Sequence, residues 1–212
     1  MSKGRKEKNI KNIRTLLFNA ETPVRVITLI TLYRIVTFPL LVFLIFTDRV
    51  NTFKWLLLAS FITDAFDGFL ARKYQATSTL GAKLDSVGDD LTVLAAVIGL
   101  FVTKFEFIEK ELALFLILFG LFLIQLISSL MRYKKISSFH TYFAKAAAVV
   151  TAFFLLSVFF LDKIIYPLFY ASFIITGIEL IEETIIVFLL PKWKTNVKGV
   201  YWILKGKVHS KA

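Results

Sequence analysis

Residues 64–89 read DAFDGFLARKYQATSTLGAKLDSVGD, which places four carboxylates and an arginine beside two strongly apolar segments. The stretch forms the pattern D-x-x-D-G-x-x-A-R, then eight residues, then G-x-x-x-D-x-x-x-D. Its fixed positions are Asp64, Asp67, Gly68, Ala71, Arg72, Gly81, Asp85 and Asp89. One carboxylate at the centre of a membrane helix costs about 2.5–3.5 kcal/mol, and four would cost roughly 10 kcal/mol or more. The cluster therefore needs a charged partner, and a divalent metal ion is the obvious one.

The spacing of these acids predicts that they face one pocket. Asp64 and Asp67 are three residues apart on one predicted helix, so they share a face. Asp85 and Asp89 are four apart on the next helix and also share a face. The polar link 73–80 predicts a tight turn between two antiparallel helices. Carboxylate oxygens suit Mg²⁺ or Mn²⁺, which leave coordination positions for substrate phosphates.

Other residues of the same stretch are typical of a phosphate site. Gly68 and Gly81 have no side chain, so a backbone or a ligand can approach closely there. Arg72 carries a planar fork of donors that matches phosphate oxygens. These residues favour a metal-assisted phosphate chemistry over a purely structural role for the acids.

The eight fixed positions resemble, without a gap, the signature of the integral-membrane CDP-alcohol phosphotransferases, also called CDP-alcohol phosphatidyltransferases. Thr31-Leu-Tyr-Arg34 followed by Pro39 is similar to the first membrane helix of phosphatidylglycerophosphate synthases. Asp90 departs from that branch, where Lys or Arg follows the last acid, and is interpreted as a solvated acid near a helix start. The resemblance implies transfer of a substituted phosphoryl group from a CDP-linked donor to an alcohol, with release of CMP.

The resemblance also implies roles for single residues. Two Mg²⁺ or Mn²⁺ ions would be held by Asp64, Asp67, Asp85 and Asp89. Asp89 would in addition be the general base that takes the proton from the acceptor hydroxyl. The CDP donor would be bound by Thr31, Gly68, Ala71, Arg72, Ser78 and Gly81. The expected donor is CDP-diacylglycerol. The reverse arrangement, a CDP-linked head group and a diacylglycerol acceptor, stays open. The family resemblance also implies a homodimer.

The composition predicts a polytopic membrane protein. Of 212 residues 57% are hydrophobic and 19% are charged, and the mean hydropathy is +0.72, too apolar for a soluble domain. No cysteine is present, which excludes disulfides, thiolate metal sites and a cysteine nucleophile. Met1 to Phe18 is basic without a following apolar core and cleavage site, so no cleaved signal peptide is expected. The net charge of +11 fits an anionic lipid surface better than nucleic acid, and no nucleic-acid partner is expected.

We predict an all-α integral membrane fold with six transmembrane helices preceded by a short amphipathic interfacial helix. Each apolar segment is long enough to cross about 30 Å of hydrocarbon. The predicted spans are 24–47, 52–72, 81–103, 111–133, 140–161 and 164–190. The predicted organisation is a basic amphipathic segment at 1–20, a catalytic membrane domain at 21–191 and a basic cytoplasmic tail at 192–212.

Lysine and arginine placement predicts that both termini and the acid cluster face the cytoplasm. The N-terminal arm, the 72–83 turn, the 132–145 gap and the tail are richer in these residues than the alternate gaps. A basic group on the same side, Arg132, Lys135 and Lys145, is the candidate site for a phosphorylated acceptor such as glycerol 3-phosphate, or it reflects topology alone. Lys145 is predicted to lie about a turn and a half inside the fifth span, where a buried ammonium needs a partner.

Two interpretations stay open at this stage. Glu179, Glu182 and Glu183 form an i, i+3, i+4 face that would pair with Arg34 or Lys145, or touch a polar acceptor. Intramembrane acids also mark ion pathways, so an ion- or proton-coupled transporter is the rival class. A transporter would distribute its acids over the membrane depth and over several helices, whereas four acids here lie in one predicted hairpin.

Overall fold

A computed structural model of the protein describes residues 22–74, 79–135, 139, 141–161, 163–193 and 197–209. The side chains of 22–32, 65, 67–87 and 206–209 are outside this description. The described elements are the helices α1 Thr22–Phe46, α2 Val50–Tyr74, α3 Thr79–Thr103, α4 Phe105–Lys110, α5 Leu112–Tyr133, α6 Tyr142–Phe160, α7 Tyr166–Leu189 and α8 Val200–His209. No strand occurs within these ranges, which confirms the all-α prediction.

Six of these helices coincide with the six predicted spans. The largest difference is two residues, as at the first span, predicted from 24 and beginning at Thr22. The third span is continuous from Thr79 to Thr103 in spite of its polar start. Among the described residues, α5 and α6 are the helices long and apolar enough to cross a membrane by length and composition. The predicted interfacial helix within 1–20 lies outside the described residues, and the number of spans stays a prediction.

The chain divides into two compact units, one ending at Thr103 and one beginning at Lys104. In the first unit, α1 packs against both α2 and α3. Its core is apolar and contains Leu41, Leu44, Ile45, Phe53, Leu57, Ala95, Ala96 and Leu100. Short side chains such as those of Ala95 and Ala96 allow helices to pack closely. Asp48 turns the chain between α1 and α2 with a φ of 57°, a conformation that Asp tolerates better than most residues.

In the second unit, α7 is the central helix and packs against α5, α6 and α8. One end is aromatic: the ring of Phe169 lies 4.9 Å from that of Phe107 and 5.4 Å from that of Phe154, measured between centroids. At the same end the hydroxyl of Tyr170 donates to Glu111 Oε1 at 3.3 Å. Lys110 donates to the Tyr166 hydroxyl at 3.3 Å, and this hydrogen bond raises the pKa of Lys110.

The other end of the second unit joins the α5–α6 connection to the C-terminal segment. The backbone N–H of Val197 donates to the carbonyl of Phe139 at 2.8 Å. Phe139 is fully buried against Ile186, Val187 and Leu190. The two basic segments predicted to lie on one side of the membrane, 132–145 and the tail, therefore meet at one end of this unit.

Candidate active site

Arg34 is a buried charge among the described side chains of the first unit. Its side chain is 0% exposed although it lies in the apolar sequence of α1. A buried guanidinium in such surroundings needs partners, such as acidic groups or backbone carbonyls. The structure supplies two such groups from two other helices.

The partners of Arg34 are the first and last acids of the 64–89 stretch. Arg34 Nη1 donates to Asp64 Oδ1 at 2.5 Å, and the same nitrogen donates to Asp89 Oδ1. Asp64 lies on α2 and Asp89 on α3, so three helices meet at one nitrogen atom. Hydrogen bonds between ionised partners are roughly twice as strong as neutral ones. The acids are 37% and 41% exposed, so each contacts the buried arginine and remains reachable from outside the unit.

Gly88 lies beside this arrangement. A Cβ atom at Gly88 would lie 3.4 Å from both Cζ and Nε of Arg34. The neighbouring Thr92 is buried, and its hydroxyl donates to the Gly88 carbonyl within the same helix at 2.9 Å. The guanidinium thus lies directly against the backbone of α3 beside Asp89.

The structure brings together two of the predicted site residues, Asp64 and Asp89. The side chains of the other predicted ligands and donor-binding residues are outside the description: Thr31, Asp67, Gly68, Ala71, Arg72, Gly81 and Asp85, and the whole of Ser78. Within the side chains that are described, no group of three or more His, Cys, Asp or Glu residues is placed to hold a metal ion. The outermost pair of predicted acids therefore lies close together on Arg34, whereas convergence on a metal pocket and the roles of the full set stay predictions.

Sequence reasoning missed Arg34 as the partner of these acids. It grouped Arg34 with the glutamates of the last span, whereas the structure places its guanidinium on Asp64 and Asp89. The signal was present, because an arginine within an apolar helix needs a partner and acids are the natural candidates. Helical periodicity does not tell which neighbouring helix provides that partner.

The glutamates of α7 have partners within the second unit. Glu183 is buried, and its Oε2 accepts a hydrogen bond from Gln125 Nε2 at 2.7 Å. Glu182 Oε1 accepts the backbone N–H of Val200, the first residue of α8, at 3.1 Å. A carboxylate at this position also complements the positive end of the helix dipole. The partners shown for these two acids are thus a glutamine and a helix N-terminus, where the prediction named Arg34 or Lys145.

The prediction that Lys145 is buried is wrong. Thr141 is the N-cap of α6 and its hydroxyl accepts the N–H of Ala144 at 3.1 Å, so the helix begins at Tyr142. Lys145 is thus in the first helical turn, with an exposed side chain whose Nζ lies 5.7 Å from the Tyr142 ring centroid. The burial argument for an acceptor phosphate at Lys145 no longer applies.

The other two residues of the basic group contact the end of α7. Arg132 Nε donates to the carbonyl of Leu190 at 3.2 Å, and Lys135 Nζ lies 5.0 Å from the Trp193 ring centroid. Both side chains are exposed. Cation–π contacts at such exposed sites contribute about 0.5–1 kcal/mol. These contacts do not test acceptor binding, so the role of this group in binding the acceptor stays a prediction.

Comparison with known proteins agrees with the motif. A family model described as CDP-alcohol phosphatidyltransferase matches residues 26–187. A CDP-diacylglycerol–glycerol-3-phosphate 3-phosphatidyltransferase of Sodalis glossinidius is 36% identical over 78 residues, which cover 34% of this chain and 41% of that protein. A protein of the same name from Salmonella choleraesuis is 37% identical over 78 residues, with the same coverage.

A plant relative matches a similar part of the chain. The chloroplastic/mitochondrial CDP-diacylglycerol–glycerol-3-phosphate 3-phosphatidyltransferase 1 of Arabidopsis thaliana is 41% identical over 74 residues, covering 34% of this chain and 25% of the relative. The matched stretch therefore spans about two fifths or less of the length of these curated relatives. No solved structure matches the chain. Because the family match covers most of the chain and includes the 64–89 signature, the chain belongs to the CDP-alcohol phosphatidyltransferase family.

Proposed function

We propose that the protein is a metal-dependent enzyme of phospholipid synthesis that transfers a phosphatidyl group from CDP-diacylglycerol to a small polar alcohol. The acceptor we propose is glycerol 3-phosphate, because the similar proteins are named for that reaction. The observation that carries the proposal is the convergence of Asp64 and Asp89, from two helices, on one cationic nitrogen. The reverse reaction within the family, transfer of a CDP-linked head group to diacylglycerol, is the alternative.

Two of the described acids support the proposal of a divalent metal ion. Two carboxylate oxygens already converge on a positive charge, here that of Arg34, and hard divalent cations prefer such oxygen ligands. We propose that Asp64, Asp67, Asp85 and Asp89 hold two Mg²⁺ or Mn²⁺ ions. Bound there, the ions would neutralise the diphosphate and stabilise the attacking and leaving oxygens of an in-line displacement.

The proposed reaction balances as a simple substitution at phosphorus. The acceptor hydroxyl oxygen forms a bond to the phosphorus that carries the diacylglycerol, and the bond from this phosphorus to the oxygen of CMP breaks. The hydroxyl proton passes to the carboxylate of Asp89, and CMP leaves with the electron pair of the broken bond. Asp89 suits this role because its carboxylate is 41% exposed while its orientation is held by Arg34.

Donor binding is assigned by the family resemblance, and acceptor binding by the clustering of basic residues. We propose that Thr31, Gly68, Ala71, Arg72, Ser78 and Gly81 bind the CDP part of the donor. For the acceptor phosphate we propose Arg132, Lys135 and Lys145. In support, the first two of these side chains lie at the same end of the second unit, where their exposed cationic groups contact α7 and the segment that follows it.

We also propose that the six long helices span the membrane with both termini and the acid cluster at the cytoplasmic side. The positive-inside distribution of lysine and arginine supports this topology. It is further supported by the meeting of the 132–145 connection and the C-terminal segment at one end of the second unit. A homodimer is proposed from the family resemblance alone.

A panel of acceptors tests the proposed reaction. Membranes containing the full chain are supplied with CDP-diacylglycerol, Mn²⁺ and glycerol 3-phosphate, glycerol, serine or inositol phosphate, and the lipid products are identified by mass spectrometry. We expect phosphatidylglycerophosphate, formed in step with CMP. Turnover of neutral alcohols without turnover of glycerol phosphate would contradict the proposed acceptor, and turnover of a CDP-linked head group with diacylglycerol would favour the alternative.

A further inference from the structure

We propose that Arg34 is a positioning residue that serves as the permanent counter-charge of Asp64 and Asp89, so that the acid site stays assembled when no divalent cation is bound. The inference rests on the proposed function only in that the same acids are taken to bind the cations. Through Arg34, metal binding is coupled to the stability of the first unit.

The geometry of the contacts carries this inference. The two Oδ1 atoms belong to different helices and both accept hydrogen bonds from Nη1 of Arg34. Without a cation between them, two like charges brought this close would repel each other and push α2 away from α3. Arg34 therefore compensates the charge of the two carboxylates, which would otherwise require a metal ion.

Arg34 is part of the fold rather than a mobile ligand. Its side chain is 0% exposed, and its guanidinium lies against Gly88 of α3. A guanidinium stays charged in proteins, so Arg34 keeps its positive charge throughout the pH range in which the enzyme works. The acids, by contrast, are 37% and 41% exposed and accessible to an ion from outside.

Arg34 and a bound divalent ion would share the same pair of acids, so their interactions with the site depend on each other. Arg34 and a divalent ion draw on the same carboxylate charges, so each changes the free energy with which the other interacts with the site. Removal of the positive charge at position 34 should therefore destabilise the metal-free protein and strengthen metal binding. A residue that only fills space would change the stability without changing the metal affinity.

Thermal unfolding with and without metal tests this coupling. The full chain in detergent micelles is compared as wild type, Arg34→Gln and Arg34→Lys, each in EDTA and in saturating Mn²⁺, with Mn²⁺ affinity measured by electron paramagnetic resonance. In EDTA we expect Arg34→Gln to lower Tm by about 4–8 °C, roughly what a loss of about 2 kcal/mol causes in a chain of this size. We expect Mn²⁺ to restore most of this loss, and Mn²⁺ to bind Arg34→Gln at least about 3-fold more tightly than wild type.

Two further variants complete the design. Arg34→Lys keeps the charge and should keep a response to Mn²⁺ close to that of wild type. Tyr133→Phe removes hydroxyl hydrogen bonds to the carbonyls of Val187 and Leu190 in the second unit, and should lower Tm equally with and without Mn²⁺. It therefore reports the effect of a loss of stability that is unrelated to the acids.

An equal loss of Tm for Arg34→Gln in EDTA and in Mn²⁺, with unchanged or weaker Mn²⁺ affinity, would overturn the inference. If Arg34→Gln does not fold, an Mn²⁺ response of Arg34→Lys that differs from wild type would overturn it equally. CMP release by the wild-type protein is scored separately. Wild-type protein that releases CMP but fails the Arg34 test refutes this inference alone, whereas Mn²⁺-linked stability without CMP release refutes only the proposed reaction.

Discussion

Gly88 lies against the guanidinium group of Arg34, with 3.4 Å between the position of a Cβ atom at residue 88 and Arg34 Cζ. This distance is an ordinary van der Waals contact, so one methyl group fits at residue 88. A branched side chain does not fit without moving the guanidinium. The small size of residue 88 therefore determines where Arg34 can hold Asp64 and Asp89.

Substitution of Gly88 by alanine and by valine should distinguish a side chain that fits beside Arg34 from one that displaces it. We expect Gly88→Val to reduce CMP release at least about 10-fold, equivalent to about 1.4 kcal/mol of transition-state stabilisation, because it displaces Arg34 from the acids. Gly88→Ala should retain activity near that of wild type. Gly120→Val on α5 is the matched control, since a Cβ there has no neighbour within 4 Å. Equal losses for valine at 88 and at 120 would assign the effect to helix propensity rather than to Arg34.

The buried pair of Gln125 and Glu183 should be energetically coupled. Hydrogen bonds between membrane helices contribute about 0.6 kcal/mol on average and at most about 1.7 kcal/mol. Because this bond of 2.7 Å has a carboxylate acceptor, we expect a coupling energy near the upper value. A double-mutant cycle of Gln125→Leu and Glu183→Leu, read from unfolding in mixed micelles, measures it.

The control for this cycle combines Gln125→Leu with Thr151→Val. The hydroxyl of Thr151 is bonded to that of Ser172 at 2.8 Å, so the two substitutions remove different hydrogen bonds. Their effects should add within about 0.5 kcal/mol. A coupling near zero for Gln125 with Glu183 would show that the contact contributes nothing net to stability.

Gly199 should be required for docking of α8. Its φ is +147°, and a Cβ atom would lie 2.8 Å from Glu182 Oε1, the oxygen that accepts the N–H of Val200. Gly199→Ala should therefore cost about 1–3 kcal/mol and expose the α8 segment. Limited trypsin digestion should then cleave at Lys205 faster than in wild type. Gly177→Ala, where the nearest neighbour is 3.9 Å away, should leave cleavage unchanged, and equal cleavage in both variants would contradict the docking role.

Much of the fold was predictable because apolar runs of about 20 residues alternate with short polar gaps. The start of α6, the fifth predicted span, was misjudged by two residues because Thr141 was not recognised as an N-cap. That small error moved Lys145 from an exposed first turn into a buried position. Boundary residues with capping side chains thus decide whether a nearby charge is buried or exposed.

Contacts between helices were less predictable than the helices themselves. Periodicity shows which residues share a face of one helix, but not which helix that face meets. The acid stretch was recognisable from its own spacing, whereas its partner Arg34 is 30 residues before Asp64 and 55 before Asp89. The pairing of Val197 with Phe139 and the positive φ of Gly199 likewise depend on tertiary packing that no local pattern contains.

The central claim is that the 64–89 acids hold divalent cations at which CMP is displaced from CDP-diacylglycerol. The most direct measurement is CMP release by membranes containing wild type, Asp89→Asn or the neighbouring Asp90→Asn, each assayed with Mn²⁺ and with EDTA. We expect release that requires the cation, falls at least about 100-fold in Asp89→Asn, and stays near wild type in Asp90→Asn. Release that persists in EDTA, or that is equal in the two variants, would contradict the claim.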